Sequence, residues 1–277
     1  MKIYISADME GITGVTGTAE VTEGKGYYRR FCSLMTADIN AAVRGAFAAG
    51  ATEVLVNDAH WGMRNIIIEE LDPRAQLLSG SHNKPMMQGL DASFAAVFFI
   101  GYHAMAGTEG AVINHTLLGR EITGVWINGR KVGELGLNAA FAGHYQVPVV
   151  MVTGDDKVAQ EAKAFLGRVE TVIVKEGIER WAAKCYSPQL TAQWIEAKAY
   201  RSLQNIKLYH PCSVMCPVEL TIEFLSTSAA EIATLMPGVV KKTPRKVSIT
   251  GRHMLETYNI LRAIMILSAS ASDQWYG

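Results

Sequence analysis

The hydrophobic pattern begins with a strand. Residues 2–6 alternate and mix β-branched with aromatic side chains, and a turn rich in glycine and threonine follows at once, which is typical of a strand that ends near Asp8. The segment 35–50 has helical spacing, and residues 53–58 form a second short apolar run. This order predicts a βαβ unit with parallel strands and a right-handed crossover.

The same alternation continues along the chain. An Asn128-Gly129 pair between apolar runs is a strong hairpin signal, which makes the predicted sheet mixed. Further strands are predicted at 75–80, 95–101, 148–155 and 169–176, and further helices at 65–71, 135–145 and 156–167. We therefore expect a three-layer α/β/α fold in which the middle layer is a mixed, mostly parallel sheet.

The pattern changes in the last third of the chain. A long amphipathic stretch from about 177 to 205 predicts a helix, and residues 208–217 contain two prolines without clear periodicity. A strand, a helix, a strand and a closing helix at 253–267 follow. We predict an α/β domain over 1–207 and a smaller C-terminal α+β lobe over 208–277, of which residues 268–277 form a loose tail.

Composition narrows the possible partners. The 277 residues contain 26 basic and 26 acidic side chains, so no global field would attract nucleic acid or an anionic membrane. The N-terminus enters a strand directly and no apolar run is long enough to span a bilayer. We expect a cytoplasmic protein whose four cysteines are reduced, and the apolar-rich composition favours contacts between subunits.

Candidate metal ligands follow the predicted strands. Asp8 and Glu10 point to the same side of an extended chain at the end of the first strand, His60 and His103 follow two further strands, and Glu134 follows the hairpin. The ends of parallel neighbours would bring all five to one edge of the sheet. Two imidazoles and three carboxylates suit zinc, or less specifically manganese or cobalt. Five ligands suit a pair of metal ions, with Asp8 as the bridge.

Each of these residues also has an ordinary structural explanation. A single histidine at a strand end is more often a hydrogen-bonded structural residue than a ligand. Glu134 alone would be a carboxylate favoured by the positive end of a helix. The joint pattern is what indicates a metal site. Sequence motifs for phosphate-binding loops, dinucleotide binding and serine hydrolases are absent.

Several short segments resemble a known family. Their order and spacing are similar to those of the zinc D-aminopeptidases of the dipeptide-transport operon type, peptidase family M55. The segments are ADMEGITG at 7–14, VNDAH at 56–60, GYHA at 101–104, NHT at 114–116 and VGELGLNA at 132–139. The resemblance implies two Zn²⁺ per subunit on Asp8, Glu10, His60, His103 and Glu134, with His115 as a catalytic residue. It also implies release of N-terminal D-amino acids from short peptides by a decamer of two stacked pentameric rings.

Three functions remain open. A water between two metal ions would lose its proton near neutral pH and attack a carbonyl polarised by one of them, which suits the aminopeptidase that the resemblance implies. A binuclear amidohydrolase or phosphoesterase would use the same ligands. The third possibility is a peptide-binding protein of a transport system without turnover. His115 would stabilise an oxyanion or protonate the leaving amine. Alternatively, it would not bind the metal itself and would orient a metal ligand.

Overall fold

The computed structural model describes residues 1–80 and 86–271. Twelve strands lie in these ranges: β1 Lys2–Ala7, β2 Glu53–Asp58, β3 Ala75–Leu78, β4 Ala96–Tyr102, β5 Ile122–Ile127, β6 Arg130–Val132, β7 Val149–Asp155, β8 Glu170–Glu179, β9 Ala182–Cys185, β10 Val218–Phe224, β11 Val240–Thr243 and β12 Lys246–Gly251. The α-helices are α1 Thr18–Val21, α2 Tyr28–Ala48, α3 Glu134–His144, α4 Asp156–Leu166, α5 Pro188–Gln204, α6 Thr227–Ala233 and α7 Met254–Ala269.

The main sheet has seven strands in the order β3-β2-β1-β4-β7-β8-β9. All neighbouring pairs are parallel except β8 and β9. β1 alternates between two hydrophobic cores: Ile3 and Ile5 pack with α2 and α5, whereas Tyr4 packs with α3 and α7. Because both faces are covered, the predicted three-layer α/β/α fold with a mixed, mostly parallel sheet is confirmed.

A second, antiparallel sheet has the order β11-β12-β10-β5-β6. Asn128 and Gly129 both have positive φ, at 48° and 78°, and join β5 to β6, so the hairpin is confirmed. It lies in the second sheet, however, and the main sheet is mixed because of β9. The second sheet thus takes strands from both sides of residue 208, and the division into 1–207 and 208–277 stays a prediction.

Three predicted elements differ from the structure. The helix expected over 177–205 begins only at Pro188, because proline fits the first turn of a helix and disfavours helix before it; residues up to Cys185 belong to β8 and β9. The first crossover helix starts earlier, at Tyr28, since Phe31 and Cys32 extend its buried face. Over 65–71 only a short 3-10 turn forms.

Three further observations concern the C-terminal tail, the cysteines and membrane-spanning helices. α7 continues through Ala269, whereas 272–277 of the predicted tail lie outside the described residues. None of the four cysteines is in a disulfide. Within 1–80 and 86–271, no helix has both the length and the apolarity to cross a membrane.

Candidate metal centre

The structure brings all five predicted ligands to one end of the main sheet. β1, β2 and β4 are parallel neighbours. Asp8 directly follows β1, His103 directly follows β4, and His60 follows β2 after one intervening residue. Glu134 is the first residue of α3. All five are buried. The argument about converging ends of parallel strands describes Asp8, His60 and His103 correctly. It was wrong for Glu134, which follows β6 of the second, antiparallel sheet and reaches the cluster from the start of α3.

Two glycines allow the ends of β1 and β4 to approach this closely. A Cβ atom on Gly101 would overlap the carbonyl oxygen of Asp8, and one on Gly11 would overlap the carbonyl oxygen of Tyr102. Gly101 also has a φ of +72°, which favours glycine. Any larger residue at these positions would push the two ligand-bearing strand ends apart.

Asp8 lies between the two predicted imidazole ligands. Its Oδ1 is 3.1 Å from Nδ1 of His60, and its Oδ2 is 3.6 Å from Nε2 of His103. Glu10 Oε2 lies 3.0 Å from His60 Nδ1, and Glu134 Oε1 lies 3.3 Å from His103 Nε2. The cluster thus has two halves, one with Glu10 and His60 and one with Glu134 and His103, which share Asp8.

Each imidazole presents only one nitrogen to the cluster. His60 Nε2 is 2.9 Å from the Val21 carbonyl oxygen, and His103 Nδ1 is 3.1 Å from that of Ala104. In the neutral ring, the nitrogen that donates to a carbonyl carries the proton and the other nitrogen has the lone pair. This arrangement, in which a backbone oxygen fixes the tautomer, is the usual support for a metal-binding histidine.

Several buried polar atoms of the cluster lack hydrogen bonds. Within the described part of the chain, Asp8 Oδ2, Glu10 Oε2 and His103 Nε2 have no partner with hydrogen-bond geometry. Such atoms are rare in folded proteins because leaving them unpaired is unfavourable. Their positions and the mixed imidazole and carboxylate donors fit a bound cation, and they fit zinc in particular.

The charges of the cluster also favour positive ions. Burial, and next the charge of Glu10, raises the pKa of Asp8 to about 7. Burial would lower the pKa of His60 and of His103, but the neighbouring carboxylates outweigh it and raise both pKa values well above the usual range. Protons on these imidazoles thus offset part of the carboxylate charge, and a divalent cation would replace them.

Three comparisons with known proteins agree. The model of the peptidase M55 (D-aminopeptidase) family matches residues 1–263. A D-aminopeptidase of Bacillus subtilis (strain 168) is 42% identical over 275 residues, which cover 98% of this chain and 99% of that protein. The chain belongs to the M55 D-aminopeptidase family. The solved structure of the Zn-dependent D-aminopeptidase DppA from Bacillus subtilis, a self-compartmentalizing protease, superposes with a TM-score of 0.95 and 42% identity over 99% of this chain and 100% of that chain.

His115 lies beside the five residues in this M55 chain. Its Nε2 is 3.7 Å from Glu134 Oε1 and 3.9 Å from Glu10 Oε1, and its ring stacks on His103 at 4.0 Å. Nδ1 lies 2.8 Å from the Ile113 carbonyl oxygen, and burial, followed by the charge of His103, lowers the pKa of His115. The lowered pKa favours the neutral form of His115, in which Nε2 has the lone pair. His103, His115 and Glu134 also form a possible ligand group within 4.8 Å.

The loops that carry His60 and His115 contain left-handed residues other than glycine. Trp61 and Met63 have φ values of 43° and 56°, and Ile113 and Leu117 have values of 46° and 61°. Such conformations are unfavourable, and surrounding contacts must maintain them.

Asp58 supplies some of these contacts for the His60 loop, because its carboxylate accepts hydrogen bonds from the backbone N–H groups of Asn65 and Ile66 at 2.6 and 3.0 Å. Asp58 thus shapes the loop and is not one of the clustered carboxylates.

One residue of the site was missed by sequence reasoning. Lys175 in β8 is fully buried, and its Nζ lies 2.5 Å from the carbonyl oxygen of Glu10. Burial lowers its pKa to about 8. The only signal was a lysine in a strongly apolar strand, VIVKE at 172–176, and such a lysine could equally face solvent at a strand edge.

Proposed function

We propose that this protein is a zinc-dependent D-aminopeptidase that removes N-terminal D-residues from short peptides. The observation that carries the proposal is the buried cluster of two imidazoles and three carboxylates with unpaired polar atoms, found in a chain of the M55 family. Two Zn²⁺ per subunit would be held by Asp8, Glu10, His60, His103 and Glu134. Asp8 is the shared carboxylate because its two oxygens face different imidazoles.

Zinc held there would lower the pKa of a water ligand towards neutrality and polarise the scissile carbonyl. The chain itself must move a proton, because the nitrogen that leaves as the C–N bond breaks has to be protonated. His115 is suited to this transfer. Its Nδ1 is committed to the Ile113 carbonyl, so a proton that Nε2 accepts from the attacking water can be passed to the leaving nitrogen.

The proposed activity is tested by hydrolysis of chromogenic amides. The purified protein should cleave a D-alanyl amide and leave the L-alanyl amide and a phosphoester almost unchanged. A chelator should abolish the cleavage, and added zinc should restore it. Preferential hydrolysis of the phosphoester would favour the binuclear phosphoesterase, and two bound zinc ions without any turnover would favour the non-catalytic peptide-binding protein.

We further propose that the protein acts in the cytoplasm as a homo-oligomer, a decamer of two stacked pentameric rings. The solved relative is a self-compartmentalizing protease. Large apolar side chains at the surface support subunit contacts, with Trp61 78%, Met215 82% and Leu235 74% exposed. Burial of the site inside a closed assembly would exclude folded proteins and would admit short peptides.

A further inference from the structure

Lys175 bonds to the segment that carries Glu10. Its Nζ lies 2.5, 3.0 and 2.7 Å from the backbone oxygens of Glu10, Ile12 and Val15. An ammonium group has three protons to donate, so these three carbonyls use all of them. The segment from Glu10 to Val15 joins β1 to the short helix α1 and is thus tied to β8, on the other side of β4 and β7.

A buried ammonium normally pairs with a carboxylate, because removing a charge from water is unfavourable. Within residues 1–80 and 86–271, Lys175 forms no ion pair, and every hydrogen bond found for Nζ goes to a main-chain oxygen. Burial lowers the pKa of Lys175, and the opposite charges of Asp155, Cys185, Asp38 and Glu10, in this order, act against it without forming an ion pair. The charge of Lys175 is thus used to hold backbone in place.

The orientation of Glu10 depends on that backbone. Its Oε2 lies 3.0 Å from His60 Nδ1 without hydrogen-bond geometry. Among the described residues, Lys175 is the only side chain that hydrogen-bonds to the Glu10 main chain. We propose that Lys175 is a positioning residue that holds Glu10 in place for metal binding in the half of the centre formed by Glu10 and His60. The inference rests on the proposed binuclear function.

The decisive variant is Lys175→Met, which removes the ammonium and keeps an unbranched side chain. The matched control is Thr191→Val. Thr191 Oγ1 accepts a hydrogen bond from Thr13 Oγ1 at 2.9 Å, so it supports the same segment without contacting the Glu10 main chain. Zinc affinity is measured by competition with a chromophoric chelator, and Co²⁺ spectra report the geometry of each position. Neither measurement depends on turnover.

We expect Lys175→Met to weaken one of the two zinc sites by about 10- to 100-fold, to change the spectrum of that site and to leave the other affinity nearly unchanged. Thr191→Val should lower thermal stability while both zinc affinities remain. Lys175→Arg, which keeps the charge and its N–H donors, should recover part of the lost affinity. If Lys175→Met does not fold, Lys175→Gln is measured in the same way and should show the same loss of zinc affinity at one of the two sites.

Three results would overturn the inference: unchanged zinc affinity in the folded Lys175 variant, equal loss at both sites, or failure of both Lys175→Met and Lys175→Gln to fold, which would assign the residue to the fold alone. Failure of the proposed function is distinguishable from all of these. It would appear as a wild-type protein that binds fewer than two zinc ions or does not hydrolyse the D-alanyl amide.

Discussion

Asp8 occupies the central position of the proposed metal centre. Its two oxygens face His60 and His103 at 3.1 and 3.6 Å, so its removal affects both halves. We expect Asp8→Ala to lose most of its bound zinc and nearly all activity, with the fold retained. Elemental analysis of the purified variant measures the zinc. Asp91→Ala, which removes an exposed carboxylate, should keep two zinc ions per chain; two ions in folded Asp8→Ala would refute the bridge.

His115 should behave differently from Asp8. Its Nε2 lies further from the carboxylates, at 3.7 and 3.9 Å. We expect His115→Ala to retain zinc while turnover of the D-alanyl amide falls by roughly 10²–10⁴-fold, the range for a positioned acid or base. His144→Ala is the control, since His144 lies at the far end of α3. Loss of zinc from His115→Ala would make His115 a ligand together with His103 and Glu134.

The sequence predicted which side chains cluster better than it predicted the residues that support them. Asp8, His60 and His103 follow apolar strands, and the parallel order of those strands alone brings their ends together. Lys175 lies 165 positions after Glu10 in the sequence. His60 lies 39 positions after Val21, whose carbonyl oxygen fixes the His60 ring. Nothing in local periodicity encodes such pairs, because they depend on how the loops fold over the completed sheet.

At the scale of elements, a buried chain of hydrogen bonds joins the strands that end at the proposed metal centre to the last helix. Tyr102 at the end of β4 bonds through its hydroxyl to Ser6 in β1 and to Asn138 Nδ2 in α3, both at 2.8 Å. Tyr258 in α7 donates to Asn138 Oδ1 at 2.5 Å. Asn138 lies one turn after Glu134 on α3. The C-terminal helix therefore helps to fix the helix that begins with Glu134, one of the proposed ligands.

We expect Tyr258→Phe to lower the free energy of unfolding by about 1–3 kcal/mol, because the buried Asn138 oxygen loses its donor. Urea unfolding measures the change. Tyr145→Phe is the control: within the described part of the chain no hydrogen bond of the Tyr145 hydroxyl is found, so the change should stay within about 0.5 kcal/mol. Equal stability of Tyr258→Phe and wild type would show that the buried chain contributes little.

The elements themselves show where local signals suffice. Asn128-Gly129 predicts the hairpin because both residues tolerate positive φ, and the structure has both there. The sheet that the hairpin joins could not be predicted, since its partner β10 lies about 90 residues later and pairs Ile127 with Leu220. The predicted start of α5 was wrong for a local reason. Pro188 marks the first turn of the helix, but the amphipathic spacing that extends back to 177 favoured an earlier start.

At the scale of the whole molecule, one buried carboxylate should shape the dependence of stability on pH. Burial raises the pKa of Asp38 from 3.8 to about 6 despite hydrogen bonds from Thr13. The folded state therefore binds the proton more tightly than the unfolded state. The stability from this group is complete below pH 4 and is lost as pH rises through 6, by about 3 kcal/mol at most.

Asp38→Asn removes this titration. Because burial also raises the pKa of Asp8 to about 7, the quantity to measure is the difference in unfolding free energy between the variant and wild type, by urea unfolding from pH 4 to 7. The wild type should lose stability relative to Asp38→Asn as pH rises. A difference that stays constant across this range would show that Asp38 does not titrate with a raised pKa.

The proposed assembly leads to a prediction about substrate length. Closed rings need heterologous contacts around each ring and isologous contacts between two stacked rings, and the balanced 26 basic and 26 acidic residues allow copies to approach without strong repulsion. We expect light scattering to give the mass of a decamer. Di- and tripeptides with an N-terminal D-residue should be cleaved, and a long unfolded polypeptide with the same N-terminal residue should be almost untouched, because it cannot enter a closed chamber.

The matched comparison is therefore the same N-terminal D-residue on a short and on a long chain, measured with the same preparation. A monomer at working concentration with full activity on the short peptide would contradict the compartment and would leave the metal chemistry in place.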